Sequence, residues 1–366
     1  MPMNYSDCRA LLHGWRWGIM ALAVGILGLA GCDTAPKKPK KEPVDIVWPA
    51  PPEQPRIRYL ASYRGQVDFA VTDDLRAKLF GIEVQGIHLA KPYGVAVNPD
   101  GSKMYVTDAK VGGVVVFDFK KKKVSMMPTD AMGAVRSPVE VRVDSRGRVY
   151  VTDGFGHKLN VYAPNGKTLF SIGGAQRIKR PTGLALDEAR NQLYVSDTPN
   201  HRVLTYDLNG NFIREIGGRG NDPGKFNFPI NLAVDKNNGR LYVTDSGNFR
   251  IQAFSPEGEY VTEFGQIGDS FGSFARPKGV GVDSEGHIYV LDAAFSNLQI
   301  FNDEGRLLLF VGALGRGPGF FWLPAGIYID SRDRIYVADS INQRIQVFQY
   351  LKEGEGISQK SKQDMH

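Results

Sequence analysis

The sequence predicts an all-β fold: six four-stranded antiparallel blades closed into a β-propeller, the last blade completed by a strand from before the first. Three observations carry this. A unit of 43 to 48 residues recurs six times, marked by prolines at 92, 138, 181, 229, 277 and 324. Each unit holds short Val/Ile/Tyr/Phe-rich segments separated by turn residues, in a chain with 42 Gly and 21 Pro, which favours many short strands over long helices. The sixth unit stops before its fourth strand, whereas the segment from Arg58 to Gly65, ahead of the first unit, looks like a fourth strand without a blade.

Within each unit the proline opens an apolar strand: YGVAV, VEVRV, TGLAL, INLAV, KGVGV and AGIYI. A polar turn leads to a second strand closing on an aspartate, at Asp108, Asp153, Asp197, Asp245, Asp292 and Asp339. A third strand follows, and hairpin turns such as Asn165-Gly166 and Asn209-Gly210 supply the positive φ needed to reach a fourth. A four-stranded sheet cannot bury both faces alone, so units of this period pack side by side into a ring. Pairing the stray strand with the sixth blade leaves no closing edge open.

Outside the repeat, residues 66–90 form an insertion in which VTDDLRAKLFGIE predicts a short helix capped by Thr72 or Asp73, packed on the propeller's side or one mouth. Residues 351–366 read as a disordered polar tail.

The amino terminus reads as an address. Arg9 and Arg16 precede an uncharged apolar run over 18–30, the length of a signal-peptide core and too short for a membrane span. It ends in Leu29-Ala30-Gly31-Cys32, which resembles the bacterial lipobox. That resemblance implies cleavage after a 1–31 signal peptide, acylation of Cys32 with palmitate-type chains, and a lipid-anchored envelope protein. Residues 32–54, rich in Pro and Lys, read as a flexible tether. Asp33 resembles the inner-membrane retention signal of some bacterial lipoproteins, which favours the periplasmic face of that membrane over the outer membrane as the alternative. Removing Cys8 with the signal peptide leaves Cys32 alone and no intrachain disulfide. The charge of +6 falls to +5 once Asp7, Arg9 and Arg16 are gone. With Lys37, Lys38, Lys40 and Lys41 in the tether, this mild excess suits an anionic membrane surface rather than nucleic acid.

The units resemble NHL repeats, whose Pro-x-Gly, Tyr-Val-x-Asp and Asn-x-Arg-Ile-x-Val-Phe pattern stands almost whole in RPTGLALDEARNQLYVSDTPNHRVLTYD and LPAGIYIDSRDRIYVADSINQRIQVF. The resemblance covers about residues 55–350 and implies the six-bladed propeller. It is much less specific for function, because the family spans ligand sensors, nucleic-acid binders and a lyase. Copies one, two and five depart from it, with Val111-Gly112-Gly113, Gly156-His157-Lys158 and Ser296-Asn297-Leu298 in place of Asn-x-Arg.

Strand direction puts the loops after the closing aspartates and before the prolines on one face, here the top. Just before the prolines of blades one, three and five stand Lys91, Arg180 and Arg276. Threefold spacing of cations around one mouth of the channel suits an anionic ligand. His157 and His201 each lie four residues after a closing aspartate on adjacent blades, a placement similar to the zinc histidines of the peptidylamide lyase branch. The equivalent positions elsewhere are Gly112, Phe249, Ser296 and Gln343, so no third histidine shares the register. The six aspartates suit capping of backbone amides, with Arg202, Arg250 and Arg344 as partners. GGRGNDPGKF and GALGRGPGFF read as linkers between blades, matching no phosphate-loop motif, and no nucleophile or metalloprotease motif occurs.

The expectation is a monomeric, noncatalytic propeller without a cofactor, presenting its top face to a protein partner or an anionic glycan or peptide, and not to nucleic acid. The alternative is a metal-dependent lyase or lactonase-like enzyme with zinc or calcium held at the channel mouth by His157 and His201.

Overall fold

The computed structural model describes residues 45–69, 86–130, 133–174 and 176–353. Six sheets stand in a ring. Blade 1 comprises Pro92–Val97, Lys103–Asp108, Gly113–Asp118 and Lys123–Met126 from the axis outward. Blade 2 follows with Pro138–Val143, Val149–Asp153, Lys158–Tyr162 and Thr168–Gly173, and blade 3 with Pro181–Asp187, Gln192–Asp197, Arg202–Tyr206 and Phe212–Gly217. Blade 4 runs through Pro229–Val234, Leu241–Asp245, Arg250–Phe254 and Tyr260–Phe264, and blade 5 through Pro277–Val282, Ile288–Asp292, Asn297–Phe301 and Leu307–Val311. Blade 6 takes Pro324–Ile329, Arg334–Asp339 and Arg344–Tyr350 from the end of the repeat and Ile57–Tyr63 from its beginning.

In every blade the repeat proline is the first strand residue and pairs with the closing aspartate, from Pro92↔Asp108 to Pro324↔Asp339. Proline is tolerated there because the ladder needs no amide from it. A register shift follows each such pair before regular pairing resumes, so each innermost strand opens with a bulge.

The ring closes as expected. Ile57–Tyr63 pairs antiparallel with Arg344–Tyr350, from Ile57↔Tyr350 to Tyr63↔Ile345, and Leu60 bulges out between Tyr59 and Ala61. A short fifth strand, Val47–Trp48, lies outside it, with Trp48 opposite Ile57. The sequence assigned these two residues to a flexible tether. They are ordered because the Trp48 ring meets Phe348 edge-on at 5.9 Å and covers Gly319, where a side chain would collide with it. At the other end Leu351, assigned to the tail, is buried and donates its amide to the Arg56 carbonyl at 2.7 Å. Hydroxyls stitch neighbouring blades together: Thr107 donates to Val139 O at 2.7 Å, Thr152 to Thr182 O at 2.8 Å, and Ser340 of blade 6 to Pro92 O of blade 1 at 2.5 Å.

Between blades lie apolar clusters, among them Val195, Leu204 and Ile172 where blades 2 and 3 meet and Phe321, Val311 and Phe348 where 5 and 6 meet. Of the insertion, Gln66–Phe69 forms a single 3-10 turn held to blade 1, where Gln66 accepts the Val124 amide at 2.7 Å and Phe69 meets Phe119 edge-on. The helix expected from Thr72 onward, the signal peptide and Cys32 lie outside the described residues. No described helix is long and apolar enough to cross a membrane.

Candidate functional site

The six closing aspartates are fully buried. Each turns its carboxylate back onto one or both of the two amides just before its own blade's proline. Asp108 accepts from Ala90 at 2.7 Å and Lys91 at 2.9 Å, Asp197 from Lys179 at 2.9 Å and Arg180 at 3.1 Å, and Asp292 from Ala275 at 2.8 Å and Arg276 at 2.9 Å. Their capping role thus fixes the peptides that carry the basic residues. Arg202, Arg250 and Arg344 pair with Asp197, Asp245 and Asp339 at 3.1, 3.0 and 2.8 Å, which compensates those three buried charges.

Lys91, Arg180 and Arg276 are exposed on this face, as the strand directions require. Sequence reasoning missed two residues that stand with them. Lys278, one residue past Pro277, holds its ammonium 6.0 Å from the centre of the Tyr93 ring of blade 1. Burial pushes the Lys278 ammonium below its usual range, and the charges of Arg276 and Arg180 push it further the same way. The Tyr93 phenol is pushed up to about 12, first by burial and then by Glu140, against the lowering effect of the same two arginines. Cations from blades 3 and 5 and a phenol from blade 1 therefore share one field at the top mouth.

Below them the channel is plugged. Glu140 of blade 2 is fully buried and binds Arg142 Nη1 at 2.6 Å through Oε1. Its Oε2 accepts Asn231 Nδ2 from blade 4 at 2.9 Å, across the ring. Asn231 Oδ1 accepts the Val280 amide of blade 5 at 3.3 Å, and Arg142 lies 5.7 Å over the Tyr328 ring of blade 6. Desolvation nonetheless leaves the Glu140 carboxyl above its usual range. A signal for the plug was present in the sequence: the second residue after the repeat proline is Gly94, Gly183, Gly279 and Gly326 in four blades and Glu140 and Asn231 in the other two. Beneath the plug a cavity of about 100 Å³ is lined by Arg142, Glu188, Lys236 and Tyr328 among apolar strand residues.

The two histidines occupy one structural niche. His157 (φ 55°) and His201 (φ 54°) are left-handed, as are Phe249, Ser296, Gln343 and Gly112 at the equivalent places. The niche is a turn position, which explains why unlike side chains fill it. His157 Nδ1 faces the Lys179 carbonyl, so that nitrogen carries the proton and leaves Nε2 open. His201, buried against Phe228 with ring centres 4.7 Å apart, accepts the Phe228 amide on Nδ1 at 3.2 Å, which puts its proton on Nε2. No group of three or more His, Cys, Asp or Glu side chains that could hold a metal occurs among the described residues.

Comparison with known proteins agrees with this architecture. A family model described as a 6-bladed beta-propeller matches residues 184–265 and 280–361. No curated protein matches the chain. Among solved structures it is similar to a streptogramin B lyase, at 14% identity and a TM-score of 0.54, covering 73% of this chain and 96% of that one. It is also similar to a gluconolactonase from Xanthomonas campestris, at 16% identity and a TM-score of 0.57, with 85% and 99% covered. An auxiliary nutrient binding protein from Bacteroides thetaiotaomicron gives 13% identity and a TM-score of 0.55, with 72% and 70% covered. At such identities the likeness is one of fold alone. By its own strand order and by these comparisons, the chain is an all-β, six-bladed β-propeller with four-stranded antiparallel blades.

Proposed function

We propose that this propeller, built from NHL-type repeats and lipid-anchored through Cys32 in the cell envelope, is a binding module that holds an anionic glycan or peptide group at its top mouth. The observation that carries the reading is the convergence of Arg180, Arg276 and Lys278 over Tyr93, with the channel closed beneath them. The charges that act on Lys278 are those of Arg276 and Arg180, with no carboxylate among them. A cation that is costly to bury alone is an open position for an anion. The Tyr93 hydroxyl adds a neutral donor, and Lys91 extends the positive field on blade 1. Nutrient binding by one structural neighbour is in keeping with this reading.

The test is titration calorimetry of the full chain with a sulfated oligosaccharide and with an oligoglutamate peptide. The Arg180→Ala/Arg276→Ala variant should lose about tenfold or more in affinity, as expected when charge-assisted contacts worth at least about 1.4 kcal/mol are removed. Arg306→Ala, on an exposed hairpin at the opposite face, should bind like the parent. Equal affinity of the parent and the double variant for both probes would overturn the reading. Stoichiometric zinc or calcium in chelator-free protein, lost in His157→Ala/His201→Ala, would favour the metal-dependent lyase or lactonase alternative instead.

A further inference from the structure

The top face is not symmetric. The linkers into blades 4, 5 and 6 share one backbone design, in which a residue near the start bridges in parallel to a buried phenylalanine: Arg219 to Phe226, Ile267 to Phe274 and Leu314 to Phe321. All three phenylalanines are fully buried and fill the gaps between blades. The outward residue at the bridge is free to be charged, as Arg219 demonstrates. In the other two linkers it is apolar and left in water: Ile267 is 69% exposed and Leu314 67%. Phe271, in the same linker as Ile267, is 78% exposed and stacks on Phe310 of the outer strand of blade 5 at 5.0 Å. Phe320, Trp322 and Ile341 continue the exposed surface onto blade 6, with the Arg316 guanidinium 5.4 Å over the Trp322 ring. Exposed apolar groups that the fold does not require, gathered on neighbouring blades, mark a contact surface.

The described chain begins beside this surface. Trp48 lies against Gly319 of the same linker that carries Leu314 and Phe320, and Asp45 is three residues upstream. Between Cys32 and Asp45 the sequence has twelve residues, four of them lysines. Fully extended, such a stretch spans about 40 Å. An acyl anchor on Cys32 would thus confine the rim of blades 5 and 6 to the neighbourhood of a bilayer, at the high effective concentration that tethering provides. Aromatic and aliphatic side chains beside arginine suit the headgroup boundary of an anionic leaflet.

We infer that Ile267, Phe271, Leu314, Phe320 and Trp322 form a membrane-docking rim that seats blades 5 and 6 on the anionic lipid surface. This rests on the proposed anchoring at Cys32. Phe271 stacks on Phe310 of the outer strand of blade 5 and Gly319 lies beneath Trp48, outside the closing strand, which puts the contact at the periphery, away from the cationic mouth at the axis.

The experiment uses the full chain bound to vesicles of phosphatidylethanolamine and phosphatidylglycerol carrying brominated acyl chains. Flotation reports attachment. The emission difference between the parent and Trp322→Phe isolates Trp322 from the other tryptophans. The expected result is bromolipid quenching of the Trp322 component in the floated parent, and loss of that quenching in Phe271→Ser/Leu314→Ser while the variant still floats by its anchor. Both substituted residues are exposed, so the variant should keep the parent's melting temperature. Floated parent protein whose Trp322 emission ignores the bromolipid would overturn the docking while leaving the anchor intact, and would assign the rim to a protein partner. A parent that does not float overturns both.

Discussion

At the scale of single residues, the plug buries a charged pair at the axis. Glu140 is compensated by one guanidinium, one carboxamide and the Val141 amide. Removing Arg142 leaves that carboxylate buried and unpaired, so Arg142→Ala is expected to destabilise by about 3–5 kcal/mol. Urea denaturation measures it, and a loss under about 1 kcal/mol would mean that water replaces the guanidinium. His287 gives a pH-dependent counterpart. Its bond to Asp283 at 2.9 Å, the leading cause, raises the imidazole above its ordinary range against the opposing effect of burial. Protonated His287 therefore binds better in the folded state. The stabilisation is fully present below the unfolded value of about 6.5 and fades as pH rises through the raised folded value. Parent and His287→Gln should differ more in urea midpoint at pH about 6 than at pH about 9. Lys278 did not stand out in the sequence, and Glu140 was marked only by its break in the run of glycines two residues after the repeat prolines; the reason is physical. An innermost propeller strand is buried on both faces, so alternation does not show which side chains turn toward the axis. Lys91, Arg180 and Arg276 were readable because loop position alone fixes their face.

At the scale of elements, the closing strand was legible and its internal irregularity was not. The missing fourth strand of the last copy and the orphan strand before the first identify each other by counting. The bulge at Leu60 depends on how Tyr59 and Ala61 pair with Phe348 and Val347, which no local pattern records. That bulge separates two adjacent parts of one strand energetically. Ile57 is fully buried beside Phe348 and Tyr350, whereas Leu60 points into water. Ile57→Ala should cost about 2–5 kcal/mol and Leu60→Ala less than about 0.5 kcal/mol. Similar losses at both sites, read from urea midpoints, would show that the clasp is not held in this register. The short strand Val47–Trp48 escaped the sequence reading because its Pro-rich surroundings favour extended solvated chain. The Trp48 ring is held by its contacts with Phe348 and Gly319, groups far away in sequence.

At the scale of the whole molecule, repeat proteins with open ends add stability blade by blade, and a ring does not. Here every blade has a neighbour on both sides, and the hydroxyl of Ser340 on Pro92 O joins the last to the first. The plug adds a bond that skips a blade, from blade 2 to blade 4, and a further one from blade 4 to its neighbour blade 5. Opening one blade therefore exposes the faces of two others and strands buried polar groups at the axis, which makes partial unfolding costly. The parent should unfold in urea as a single transition, with far-ultraviolet circular dichroism and Trp emission coincident. Trp48 and Trp322 both report on the junction of blades 5 and 6, where the clasp closes. Weakening the clasp by Ile57→Ala removes the coupling at that junction while sparing blades 1 to 4. In that variant the emission transition is expected to move to lower urea than the dichroism transition. Two coincident transitions, shifted together, would mean instead that the axial plug, and not the closing strand, sets the cooperativity of the ring.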